Sequence, residues 1–141
     1  MSRIAAIQMA SGPNLNANLL EAERLVSHAV DAGAGLVVLP ENFAFMGATE
    51  REKLKVKEVA GEGPVQNFLA EQAARHGIWL VGGTVSLAAD SPDKVRAACM
   101  LYNDKGQVEA RYDKIHLFDV HLEESGEHYT ESEAIEPGSE V

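Results

Sequence analysis

Between Arg3 and Leu39 the chain reads as strand, helix, strand, and that order leaves few folds open. Ile4-Ala5-Ala6-Ile7-Gln8-Met9 is a short, mostly apolar run that stops at Ser11-Gly12-Pro13-Asn14, a cluster of turn formers. Leu19, Ala22, Leu25, Val26, Ala29 and Val30 then recur at helical spacing until Gly33, and Asn18 followed by Glu21 three residues later predicts a capping box at the helix start. Leu36-Val37-Val38-Leu39 is apolar throughout, as strands covered on both faces are. A helix of this length between two strands returns the second strand parallel to the first, so the expected class is α/β with a partly parallel sheet.

The remainder of the chain extends that sheet. Thr49 to Val59 is charged and reads as a helical surface segment, ended by Gly61-Glu62-Gly63. Pro64 suits the first turn of a second helix, with Val65, Phe68, Leu69, Ala73 and Ala74 inward until His76-Gly77. Residues 78–87 read as one strand. Residues 95–103 and 107–111 read as a hairpin about Asp104-Lys105-Gly106. Beyond Tyr112 the pattern weakens into an irregular acidic stretch that reaches Pro137-Gly138. No repeat or shift of composition divides the 141 residues, and 45% apolar content is enough for one core.

Charge excludes some partners. The net charge is −10, and residues 113–141 hold nine acids against one base, Lys114. Nucleic acid and anionic membranes require clustered Lys and Arg, so neither is an expected partner. No apolar run approaches the roughly 20 residues that span a bilayer. The start has no signal-peptide pattern, and Cys99, the single cysteine, allows no intrachain disulfide; both point to the cytoplasm.

Two charged residues stand at positions suited to chemistry. Glu41 directly follows the second strand, and ligands of open α/β sheets bind beyond the carboxyl ends of strands; its plain alternative is a solvated loop carboxylate. Lys114 follows the hairpin directly, and its alternative is a surface ion pair with Asp113 or a nearby glutamate. Cys99 lies mid-strand, away from any strand end or helix N-terminus that would lower its pKa, and reads as an inert thiol. His116, His121 and His128 match no zinc-ligand spacing, and no metal is assigned to them. Gly82-Gly83, Gly61 and Gly63 match neither a dinucleotide nor a P-loop pattern.

Leu39-Pro40-Glu41-Asn42-Phe43, followed some seventy residues on by Arg111-Tyr112-Asp113-Lys114-Ile115-His116-Leu117-Phe118-Asp119-Val120, resembles the nitrilase, or carbon–nitrogen hydrolase, superfamily. The opening Ile4–Met9 run and Gly82-Gly83-Thr84 are similar too. Lys114 to Val120 most resembles the amidase branch with omega-amidase and deaminated glutathione amidase. The resemblance implies a nitrilase-type αββα four-layer sandwich, of which residues 1–141 are the N-terminal half. It implies a cysteine thiolate that attacks an amide carbon to form a thioester, with Glu41 as general base of raised pKa in a closed pocket and Lys114 facing the oxyanion. Glu131 is the implied second carboxylate, with Glu123 and Glu124 as alternatives. The family's nucleophile follows the lysine, whereas Cys99 precedes it, so the nucleophile is expected beyond Val141. No cofactor is implied. The implied partners are a small-molecule amide, an omega-amide of a dicarboxylic acid or deaminated glutathione, and further copies of the chain. The competing expectations are a catalytically inactive fragment that binds a partner or itself, and an unrelated α/β domain whose Glu41 and Lys114 are surface charges.

Overall fold

The structure is a computed structural model that describes residues 3–123 and 127–141. Strand β1 (Arg3–Ala6) leads into helix α1 (Leu15–Asp31), which returns the chain to β2 (Ala34–Val38). A 3₁₀ segment (Glu50–Val56) precedes helix α2 (Pro64–His76), and β3 (Trp79–Val81) follows. The parallel start is as expected: β2 lies between β1 and β3, parallel to both. Strands β4 (Val85–Ala88), β5 (Val95–Tyr102) and β6 (Val108–Asp113) then complete a six-stranded mixed sheet.

Strand β5 organises the second half. One of its edges pairs antiparallel with β3 at Leu101–Tyr102 and with β4 at residues 95–98, while the other pairs with β6 in the expected hairpin. The single strand expected over residues 78–87 is therefore two strands along one edge, interrupted at Gly82-Gly83. Gly83 causes the interruption. Its φ is +57°, and a Cβ there would collide with the Pro40 carbonyl. The glycine lets the end of β2 close against the sheet, and Gly82 N–H still bonds Met100 O at 2.8 Å.

Both helices cover one face of this sheet. Ala22 and Val26 of α1 and Leu69 and Ala73 of α2 pack on Val37, Leu80, Leu87, Ala98, Met100 and Tyr102. Burial pushes the Tyr102 hydroxyl up to about 12, helped by the charge of buried Glu58. Glu58 accepts the N–H groups of Val65 and Gln66 at 2.6 and 3.2 Å, which satisfies the first turn of α2. The opposite face of the sheet is left open at its β1–β3 end by the described residues: Ile4 is 69% exposed and Trp79 39%. Leu36 and Val38 are only half-buried, so β2 is not sealed on both sides as its apolar run predicts. One helix layer and one sheet layer are what half of an αββα sandwich contains.

Three local expectations are corrected. The cap of α1 is Asn14, whose side chain accepts from Ala17 N–H at 3.0 Å. Asn18 lies buried inside the helix, donating to Gly12 O and Ala44 O at 2.7 and 2.8 Å and accepting from Gly12 N–H. Those buried backbone groups need a side-chain amide, and that need outweighs the local capping pattern. The charged segment before α2 is helical as expected, as a 3₁₀ helix, but it is not confined to the surface, since Lys53 is buried against Glu50 at 2.5 Å. The acidic stretch after Tyr112 contains a second hairpin, β7 (Asp119–Leu122) with β8 (Glu127–Thr130), and a 3₁₀ turn at Glu131–Glu133. Among the described residues no helix is long and apolar enough to cross a membrane.

Candidate active site

Glu41 is set by the tight turn that ends β2. Leu39 N–H bonds Val81 O at 2.9 Å, and Phe43, fully buried, returns its N–H to Pro40 O at 3.3 Å. Between them Asn42 takes a left-handed conformation with φ +55° and donates its N–H to Thr84 Oγ1 at 2.9 Å. Ser11 Oγ holds Phe43 O at 2.9 Å, and Asn18 holds the next carbonyl. The carboxylate of Glu41 thus projects from a turn fixed to α1, β3 and the Gly83-Thr84 bend.

Lys114 stands where β6 ends. Its N–H bonds Ala97 O on β5 at 3.0 Å, and its carbonyl accepts from Gly138 N–H at 2.9 Å. A Cβ on Gly138 would strike the Asp113 carbonyl, so Pro137-Gly138 can close on the lysine only with glycine there. The segment leading to it runs beside β5: Val95 N–H bonds Ala134 O and Glu136 N–H bonds Val95 O, each at 2.9 Å. Val95, Ala97 and Ile135 form a second, smaller core with Leu54 and Leu117. Glu131, whose carbonyl accepts from Ile135 N–H at 2.8 Å, is itself only 8% exposed.

The three carboxylate and ammonium groups meet. Lys114 Nζ lies 2.8 Å from Glu41 Oε1 and 2.9 Å from Glu131 Oε2. Phe118 N–H donates to Glu131 Oε2 at 2.7 Å, which fixes the second carboxylate while it holds the lysine. Burial pulls the Lys114 ammonium down, but the bonds from Glu41 and Glu131 outweigh it, and the group is held above the ordinary lysine value. The surface pair with Asp113 does not form: Asp113 takes the Arg111 guanidinium with both oxygens, at 2.8 and 3.0 Å. Glu123 is exposed past the end of β7, and Glu124 lies outside the described residues.

Below this cluster, on the open face of the sheet, is a cleft of about 320 Å³ lined by Val38, Val81, Ala97, Cys99 and Tyr112, with Glu41 and Lys114 at its rim. Its walls are apolar and its charges converge at one end, as in small-molecule sites generally. It is not closed. The Glu41 side chain is 51% exposed, because nothing among the described residues packs over it. Cys99 is mid-strand as its sequence setting implies, yet it is only half-buried and forms part of the cleft wall. Burial pushes its thiol up, away from the reactive thiolate. Thr84, Tyr112 and the Phe118 amide also belong to the site, and no spacing in the sequence points to them. Their only signal is membership of the motifs. Among the described residues, no group of three or more His, Cys, Asp and Glu side chains is placed to hold a metal.

A family model described as carbon-nitrogen hydrolase matches residues 3–141, and the chain belongs to that family. A deaminated glutathione amidase of Synechocystis is 44% identical over 135 residues, covering 95% of this chain and 48% of that protein. One from Yersinia enterocolitica is 33% identical over 141 residues, covering 99% and 49%, and an omega-amidase NIT2 of Danio rerio is 33% identical over 140, covering 99% and 48%. Among solved structures, the C. elegans NitFhit protein superposes with a TM-score of 0.82 at 28% identity, over 97% of this chain and 33% of that one. Saccharomyces cerevisiae Nit3, a member of the nitrilase superfamily, gives 0.75 at 28% identity over 93% and 46%. The fold is that of the nitrilase superfamily, and the chain spans about half the length of the curated relatives it matches.

Proposed function

We propose that residues 1–141 are the N-terminal part of a single carbon–nitrogen hydrolase domain that cleaves a small-molecule amide to acid and ammonia. The observation that supports this most is the lysine bonded to two carboxylates: side chains 73 and 17 positions apart converge on one Nζ at the rim of an apolar cleft. In this reading a cysteine thiolate supplied from outside these residues attacks the amide carbon. Glu41 takes the thiol proton and delivers it to the departing amine, which leaves as ammonia and a thioester remains. Water then attacks the thioester, Glu41 accepts its proton, and the acid and the thiol are released. Lys114 faces the oxyanion formed in each attack, where a fixed positive charge acts most strongly in a site that excludes water. Glu131, anchored by the Phe118 amide, holds the ammonium in place.

The substrate belongs to the same proposal. An omega-amide of a small dicarboxylic acid, or deaminated glutathione, is supported by the names of the relatives, and the cytoplasm by the single unpaired cysteine. The test is ammonia release from a panel of amides and nitriles by a complete enzyme carrying this chain. Glu41→Gln and Lys114→Ala are expected to abolish turnover with the fold intact; wild-type rates in either variant remove that residue from the site. The 141-residue chain alone is expected to be inactive, and turnover that survives Cys99→Ser would refute the need for an outside thiolate.

One observation favours a second reading, in which the chain acts as a self-associating module without catalysis. The open sheet face, with Ile4 and Trp79 exposed, is an association surface when nothing covers it. Sedimentation separates the readings: a chain that stays monomeric at high concentration rejects the second.

A further inference from the structure

Hairpin β7–β8 brings together two side chains for which amide hydrolysis has no use. His121 and His128 are directly opposed in its register, and opposed positions hold their Cβ atoms about 4.5–5.5 Å apart. Both side chains are exposed. Their rings nevertheless stack, with centroids 4.1 Å apart and planes at 28°, and their Nδ1 atoms are 2.8 Å apart. The proton or lone pair of a ring nitrogen lies in the ring plane. The two nitrogens form a hydrogen bond in which one ring donates its Nδ1–H and the other accepts, so they share a single proton between two lone pairs.

A metal ion bound by both nitrogens can take the place of that shared proton. Imidazole binds Zn²⁺ at about 2.0–2.1 Å, so two cis ligands of an octahedral ion with such bonds stand about 2.9 Å apart and two of a tetrahedral ion about 3.3 Å. The observed 2.8 Å is close to the octahedral value and about 0.5 Å short of the tetrahedral one. The adjustment that remains is rotation of each ring about χ2, a soft torsion. Charge favours a cation as well, since the hairpin belongs to the segment with nine acids and one base.

We propose that His121 and His128 form a two-imidazole chelate for a divalent transition-metal ion of the Ni²⁺, Cu²⁺ and Zn²⁺ class, with water in the other positions. The ion would tie β7 to β8 three residues before Glu131, on the arm that also carries the Phe118–Tyr129 ring contact of 5.7 Å. It stiffens the support of the second carboxylate without touching the cleft.

The test is calorimetric titration of the 141-residue chain with Ni²⁺ in a buffer that does not chelate, together with Zn²⁺ titration followed by imidazole ¹⁵N resonances. One ion per chain is expected, with both His121 and His128 shifting while His28 and His76 do not. His121→Gln and His128→Gln should each weaken binding by roughly tenfold or more, and His116→Gln should leave it unchanged. Acidification should abolish binding, because protons compete for the same nitrogens. Undiminished affinity in either variant, an equal loss in His116→Gln, or a shift at only one of the two histidines would overturn the proposal. The resonance measurement decides the matter on the unaltered chain even where a variant fails to fold.

Discussion

The two faces of the six-stranded sheet follow different rules although they share every strand. On β5, Ala98, Met100 and Tyr102 point beneath the helices and are buried, while Cys99 and Leu101, one residue out of phase, are half-buried on the open face. The helix face is a packed core and contains no part of the Glu41–Lys114–Glu131 cluster. The open face contains the cleft. Stability and chemistry are thus divided between alternate residues of the same strands, and substitutions one position apart should separate them.

The largest effect is expected on the helix face. Leu80→Ala removes a fully buried side chain and should cost about 2–5 kcal/mol in urea unfolding. Its neighbour Val81→Ala, in the cleft wall, should cost well under half as much. Equal losses would erase the contrast between the faces. Lys114→Ala should reverse it, abolishing turnover of a complete enzyme while costing less in unfolding than Leu80→Ala.

Gly83→Ala lies where the faces meet. A positive φ and the Pro40 carbonyl both oppose a Cβ there, and a loss of about 1–3 kcal/mol is expected. An unchanged midpoint would show that the Pro40 turn moves freely. Cys99 tests the open face through pH. Its thiol is pushed up, so less thiolate is present at neutral pH than on a free cysteine, and alkylation by iodoacetamide should be slow until the pH rises past the ordinary thiol range. Labelling as fast as that of free cysteine at neutral pH would mean the cleft wall does not desolvate it. The smallest effect is expected of Trp79→Ser, which should shift unfolding by no more than about 0.5 kcal/mol yet reduce self-association in sedimentation.

The two faces also differ in how far the sequence discloses them. The helix face is legible because its residues repeat: the periods of α1 and α2 and the Asp104-Lys105-Gly106 turn point to the parallel start and the β5–β6 hairpin. The cleft is legible only through motif resemblance, since no period connects Glu41 to Lys114. What escapes is set by contacts distant in sequence. Asn18 looks like a cap because Glu21 follows it, but Gly12 and Ala44 claim its amide. The break at Gly82-Gly83 answers to Pro40, more than forty positions away. Hairpin β7–β8 is hidden because its strands are largely exposed and so lack the alternation that burial imposes.

The convergence on Lys114 also implies an order of assembly. The lysine reaches Glu131 across 17 positions and Glu41 across 73. Loop-closure entropy makes the longer connection about 1.3 kcal/mol more costly to form from an open chain. Glu131 and Lys114 are therefore the pair expected to meet first in a refolding chain, with Glu41 joining when the parallel strands dock.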